Sequence, residues 1–159
     1  MIERSIVLLK PDTVQRGLMG EVISRFEKVG LKIVGMKMVW IGRDFSKKHY
    51  SAHINKGFYK QLEEYIISGP IVAIAVEGVH AVENVRKLIG STEPLRAAPG
   101  TIRGDFSHHS IAYADVKNKS VFNLIHASGT KEEAEAELKL WFKDDELHTY
   151  KTVHEEHVF

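Results

Sequence analysis

Six residues carry types suited to holding and moving a phosphate. His126 ends the run Asn123-Leu124-Ile125 and precedes the small residues Ala127-Ser128-Gly129. Lys10 stands at the end of an apolar run, Arg86 in the last turn of an expected helix, and Arg103 in a long loop that also holds the hydroxyl of Thr92. Asn123 lies three residues before the histidine. Lysine and arginine neutralise phosphate charge, arginine through a planar fork. An imidazole ordinarily titrates near about 6.5, so its neutral form is an available nucleophile at neutral pH. These types together imply a polyphosphate pocket with a histidine at its end. Neither a Walker A loop nor a Gly-x-Gly-x-x-Gly turn is present, which excludes two common nucleotide cradles but not nucleotides.

The elements expected to position these residues follow from pattern. Ser5–Leu9 is apolar without alternation, as in a central strand covered on both faces. Pro11 ends it, leaving Lys10 where ligands often meet a sheet. Gly17–Val29 reads as a helix closed by Gly30, and Leu31–Ile41 as a strand with Leu31, Ile33, Val39 and Ile41 on one side. Phe45–Ile54 reads as a helix exposing Lys47, Lys48 and His49, and Phe58–Ile67 as a helix with Phe58, Leu62, Tyr65 and Ile66 as its apolar stripe. Ile71–Val76 is a buried strand and Ala81–Ile89 a helix. The long segment 91–106 reads as a loop, and residues 107–122 as an extra ribbon or structured loop. The last strand falls near 121–126. Thr130 and Glu133 then form a capping box opening a helix with Ala134, Leu138 and Trp141 on one stripe and Glu137 beside it. This order predicts an α+β ferredoxin-like sandwich, βαββαβ with additions, in which helices cover one face of a four-stranded antiparallel sheet.

Composition excludes several classes. The 159 residues suit one domain with a real core, from 1 to 159, with 107–122 as an insertion and 143–159 as a C-terminal tail. Net charge of +1 gives no sign of nucleic acid or membrane binding. The chain has no cysteine, which excludes disulfides, thiolate zinc sites and cysteine nucleophiles and fits a reducing cytoplasm. No apolar run approaches membrane-spanning length, and Met1-Ile2-Glu3-Arg4 does not begin a signal peptide. His154-Glu155-Glu156-His157 spaces its histidines three apart, unlike a zincin, and reads as a disordered or docking tail; His108-His109 reads as solvated loop.

Along nearly its whole length the sequence resembles a nucleoside diphosphate kinase. The resemblance rests on Lys10-Pro11-Asp12, Gln15-Arg16-Gly17-Leu18, the Tyr50 helix, Phe58, Ser68-Gly69-Pro70, Gly90 to Pro94, Pro99 to Phe106 and Asn123-x-x-His126-x-Ser128. It implies transfer of the γ-phosphate of ATP or another nucleoside triphosphate to a nucleoside diphosphate, in two half-reactions through a phosphohistidine at His126, with Mg2+ on the phosphates. By the same resemblance Lys10, Arg86, Thr92, Arg103 and Asn123 contact phosphate and ribose, and Phe58 stacks the base. Tyr50 stands beside the histidine, Glu137 bonds the imidazole with Ser128 as its polar neighbour, and the chain forms a homo-oligomer, a tetramer or hexamer. Ala127 and Gly129 replace the family's usual glycine and aspartate. A base held by stacking implies broad base tolerance. The alternative is a nucleotide- or nucleic-acid-binding module on the same sheet without turnover. No RNP-like aromatic sequence favours it.

Overall fold

The computed structural model describes residues 1–159. Its elements are β1 (Ile2–Leu9), α1 (Pro11–Gln15), α2 (Met19–Lys28), β2 (Lys32–Val39), α3 (Arg43–His49), α4 (Tyr59–Ile66), β3 (Ile71–Val79), α5 (Ala81–Ile89), α6 (Ile102–Phe106), α7 (Ile111–Val116), β4 (Ile125–Ala127), α8 (Lys131–Trp141) and α9 (Glu155–Val158). The four strands form one sheet in the order β2-β3-β1-β4, with every neighbouring pair antiparallel. This is the expected ferredoxin-like sheet.

Helices cover both faces rather than the single face expected. Val7 and Leu9 of β1 pack with Val72, Ile74 and Val76 of β3 against Val22 and Phe26 of α2 and Val85 and Ile89 of α5. The alternate residues Ile6, Leu8, Ala73 and Ala75 pack against Ile66 of α4 and Leu138 and Trp141 of α8. The cause is in the strands: a run apolar at every position must be buried on both sides. With both faces covered, no open sheet remains for a single-stranded nucleic acid.

Three expectations change. A bulge between Ile33 and Gly35 flips the side chains of β2. Leu31 and Ile33 therefore face α2 and α5, whereas Val39 and Ile41 face the α4 and α8 layer. Gly35 admits this because a Cβ there would stand 2.9 Å from the carbonyl oxygen of Glu146, where the C-terminal tail crosses the strand. Residues 107–122 are not a ribbon: they carry helix α7, opened by Ser110 accepting from the amide of Tyr113. The 91–106 loop likewise contains α6, capped by Thr101. Of the two states expected of the C-terminal tail, disordered or docked, the structure shows the docked one. Lys32 Nζ donates to the Tyr150 carbonyl (2.8 Å) and to Glu155 (2.9 Å), and the tail histidines His154 and His157 belong to no metal-ligand cluster.

Candidate active site

One strained residue organises the buried end of the site. Leu124 has φ +70°, unusual for a branched side chain. Its amide donates to Asp12 Oδ2 (3.1 Å), and its carbonyl accepts from the Lys10 amide (2.8 Å) and the Thr13 hydroxyl (2.5 Å). Asp12 is held in turn by the Tyr65 hydroxyl (2.6 Å). Pro11 at the first position of α1 fixes the turn that brings Asp12 and Thr13 beneath Leu124.

That turn presents the flanking carbonyls to Arg103. Its guanidinium donates to Asn123 O (3.1 Å), Ile125 O (2.5 Å) and Gly90 O (3.0 Å). A guanidinium has five donors, so two remain for a ligand. Lys10 Nζ donates to Asn123 Oδ1 (2.7 Å), whose Nδ2 donates to the Thr92 carbonyl (2.9 Å). Lys10 and Arg103 are both buried. Burial first, then the Arg103 charge, lowers the Lys10 pKa to about 7, with Asp12 opposing. Burial, then the charge of Arg86, lowers Arg103 to about 10. Two cations that resist carrying charge together form a site waiting for an anion.

β4 carries His126 beside these cations, and α8 carries its partner. His126 Nε2 lies 2.9 and 3.1 Å from the two carboxylate oxygens of Glu137. The Ser128 hydroxyl donates to Glu137 Oε2 (2.6 Å). Burial alone would raise the Glu137 pKa; the hydrogen bond and charge of His126, then Ser128, outweigh it and hold the carboxyl below its usual range. A carboxylate on Nε2 keeps the proton on that nitrogen, so Nδ1 carries the free lone pair. Thr130 and Glu133 fix the start of α8. Thr130 Oγ1 accepts from the Glu133 amide (3.1 Å), while Glu133 reaches back to the amide of Gly129 (2.6 Å), one residue earlier than a standard capping box.

His49 corrects an expectation, because its side chain is fully buried against this pair rather than exposed. Its ring meets His126 edge-on at 4.7 Å, and its Nδ1 accepts from Trp141 Nε1 (3.2 Å). Burial, then the charge of His126, lowers its pKa to about 3, so it stays neutral. Tyr50 is buried with its hydroxyl unpartnered, and burial raises its pKa. Its ring lies edge-on to His126 at 6.3 Å.

Thr92, whose carbonyl holds Asn123, also lines a cleft of about 580 Å³. Phe58, half exposed before α4, forms one wall; Ile111 and Ala114 of α7 help form another; Thr92 lies between them. Arg86 is exposed on α5. The structure thus links Lys10, Arg103, Asn123 and Thr92 by hydrogen bonds, groups His126, Glu137, Ser128 and Tyr50 together, and places Phe58 on the cleft that Thr92 lines.

The model of the family described as nucleoside diphosphate kinase matches residues 3–147. A nucleoside diphosphate kinase from Pyrococcus furiosus is 52% identical over 149 residues, spanning 94% of this chain and 88% of that protein. The chain belongs to the nucleoside diphosphate kinase family. A nucleoside-diphosphate kinase from Borrelia burgdorferi, solved as a transition-state mimic with bound vanadate and ADP, is 43% identical with a TM-score of 0.95, covering 99% of this chain and 96% of that one. A halophilic kinase from Halobacterium salinarum in complex with CDP is 40% identical with a TM-score of 0.89, covering 100% and 99%. The activity of the family is phosphoryl transfer between nucleotides, and this chain is an enzyme of that kind.

The resemblance places an aspartate at the position that Gly129 occupies. A Cβ at Gly129 would lie 2.9 Å from Glu133 Oε2, so a carboxylate reaches that space from α8 instead. Both carboxylates at this end already accept hydrogen bonds, Asp12 from Tyr65 and the Leu124 amide and Glu137 from His126 and Ser128. His49, His126 and Glu137 form the only cluster with ligand spacing, and its nitrogen donors do not suit magnesium. The sequence reading gave Asp12, Tyr65, His49 and Trp141 no role at the site. The Asp12 signal was the Lys-Pro-Asp run itself, since a proline-initiated helix aims its second residue's carboxylate at neighbouring amides.

Proposed function

We propose that this chain moves the terminal phosphate of a nucleoside triphosphate, chiefly ATP, to nucleoside diphosphates through a phosphorylated His126. In the first half-reaction the Nδ1 lone pair forms a bond to the γ-phosphorus. The bond from that phosphorus to the bridging oxygen breaks, and the diphosphate leaves with the electron pair. In the second, a terminal oxygen of an acceptor diphosphate attacks the same phosphorus, and the electron pair of the N–P bond returns to Nδ1.

The chain's own groups supply charge and position, which this reaction chiefly needs. Lys10, Arg103 and Arg86 neutralise the phosphates. Asn123 and Thr92 align phosphate and ribose, and Phe58 carries the base. Glu137, oriented by Ser128, stabilises the imidazolium character that phosphorylation creates. Tyr50 holds the ring from its edge. Magnesium, held by the phosphates of a bound nucleotide rather than by a side chain of this protein, would offset their charge beside Lys10, Arg86 and Arg103. Further, exposed Met36 and Met38 on the edge strand β2, with exposed Trp40 just past its end, support assembly as a homo-oligomer, a tetramer or hexamer.

The observation that carries the mechanism is the Glu137 carboxylate on Nε2, which leaves Nδ1 as the nucleophile beside two buried cations. His126→Ala tests it: transfer is lost while nucleotide binding, measured by calorimetry, persists. Multiple-turnover activity in that variant contradicts the mechanism.

A further inference from the structure

Two opposite charges at the phosphate end sit side by side without pairing. Lys10 and Asp12 flank Pro11 and both are buried, yet they form no ion pair. The Asp12 carboxylate accepts from the Tyr65 hydroxyl at Oδ1 (2.6 Å) and from the Leu124 amide at Oδ2 (3.1 Å). The Lys10 ammonium donates instead to the neutral Asn123 Oδ1 (2.7 Å) and lies 5.3 Å from the centre of the Tyr65 ring. Tyr65, buried on α4, therefore touches both partners of the missing pair. Phe122 stacks on its ring at 4.7 Å and fixes it. Burial, then the Asp12 charge, holds the Tyr65 pKa well above its usual value, so the hydroxyl stays a donor. The other titratable groups facing Lys10 are Arg103 of α6 and His49 of α3, and neither supplies negative charge.

We propose that Tyr65 is a positioning residue for phosphate transfer: by holding Asp12 away from Lys10, it leaves the ammonium for the phosphates of a nucleotide. The inference rests on the nucleotide-transfer reading. An ammonium paired with a buried carboxylate is already neutralised, and that carboxylate repels an incoming phosphate. A neutral acceptor such as Asn123 Oδ1 orients the ammonium without cancelling its charge. The negative face of the tyrosine ring steadies the cation in the same way. Tyr65 acts only through Lys10 and Asp12.

The test is Tyr65→Phe, which keeps the ring, the Phe122 stack and the cation contact and removes only the hydroxyl. Asp12 Oδ1 then loses its partner, and the buried carboxylate turns to the neighbouring ammonium. At pH 7 the affinity for ADP, measured by calorimetry, is expected to fall about tenfold. The affinity for adenosine is expected to stay the same, which also shows that the variant is folded. Proton uptake on binding ADP at pH 8 is expected to shrink, because the Asp12 charge raises the Lys10 pKa. Adding Asp12→Asn to Tyr65→Phe removes the competing charge and is expected to restore most of the lost ADP affinity. A tyrosine that merely supports the fold gains nothing from that second buried change. Unchanged ADP affinity in Tyr65→Phe, an equal loss for adenosine, or no recovery in the double variant overturns the proposal. If the unaltered enzyme forms no phosphoenzyme, the transfer mechanism has failed separately, and ADP binding still decides the role of Tyr65.

Discussion

The buried polar end of the site and the open cleft beside Phe58 are built by opposite rules. At the phosphate end almost every polar group is buried and bonded: Arg103 to three carbonyls, Lys10 to Asn123, Asp12 to Tyr65 and Leu124, Glu137 to His126 and Ser128. At the base end Phe58 is 53% exposed, and the facing wall comes from a short helix in a loop region. Buried, fully bonded groups are pre-organised and cost nothing to arrange when charge shifts. An exposed stacking face makes few demands on its ligand. The molecule thus holds rigidly what must react and loosely what differs between substrates.

Substitutions should divide along this line. Arg103→Lys has the largest expected effect after loss of the histidine. A lysine cannot satisfy three carbonyls and still address a phosphate, so kcat falls about a thousandfold in steady-state assays, equally for all bases. Glu137→Gln removes the charge that holds the Nε2 proton and stabilises the phosphorylated ring; the rate of phosphoenzyme formation in rapid quench falls about ten- to a hundredfold. Phe58→Ala is expected to act on KM, by about 1–3 kcal/mol of binding, with little change in the phosphorylation step itself. A Phe58 variant that lost phosphorylation rate as severely as Arg103→Lys would erase the distinction between the two ends.

A pH measurement separates the ends without mutation. With a pKa of about 7 in the empty pocket, Lys10 is largely neutral at pH 8. A bound diphosphate favours its charged form, so binding takes up a proton, and affinity falls as pH rises through 7 and above. Calorimetry in buffers of different ionisation enthalpy is expected to show this uptake for a diphosphate and none for the nucleoside, which reaches only the base end. Equal proton uptake for both would place the coupling elsewhere.

Much of this was legible in the sequence, for definite reasons. The unbroken apolar runs of β1 and β3 announced a central sheet, and Thr130 with Glu133 announced the start of α8. Lys10, Arg103, Asn123 and His126 stood out because cations beside a histidine have few structural uses. Other features depended on three-dimensional context. The bulge at Ile33–Gly35 reverses a strand's faces with one residue, and nothing in the pattern marks it. α7 hid behind a weak alternation, although Ser110 followed by Ile111-Ala112 is a helix start. His49 follows two exposed lysines, and only the packing of α3 against α8 turns it toward His126. The tautomer that leaves Nδ1 free belongs to the pairing of β4 with α8 and is invisible until both are placed.

The central claim is the free Nδ1. The most direct measurement incubates the protein with γ-labelled ATP and no acceptor, then identifies the phosphorylated atom by phosphorus–nitrogen NMR. The result expected is label on Nδ1 of His126, stable to base, lost in acid, and discharged when a nucleoside diphosphate is added. Label on Nε2, or none retained while nucleotide still binds, would contradict it.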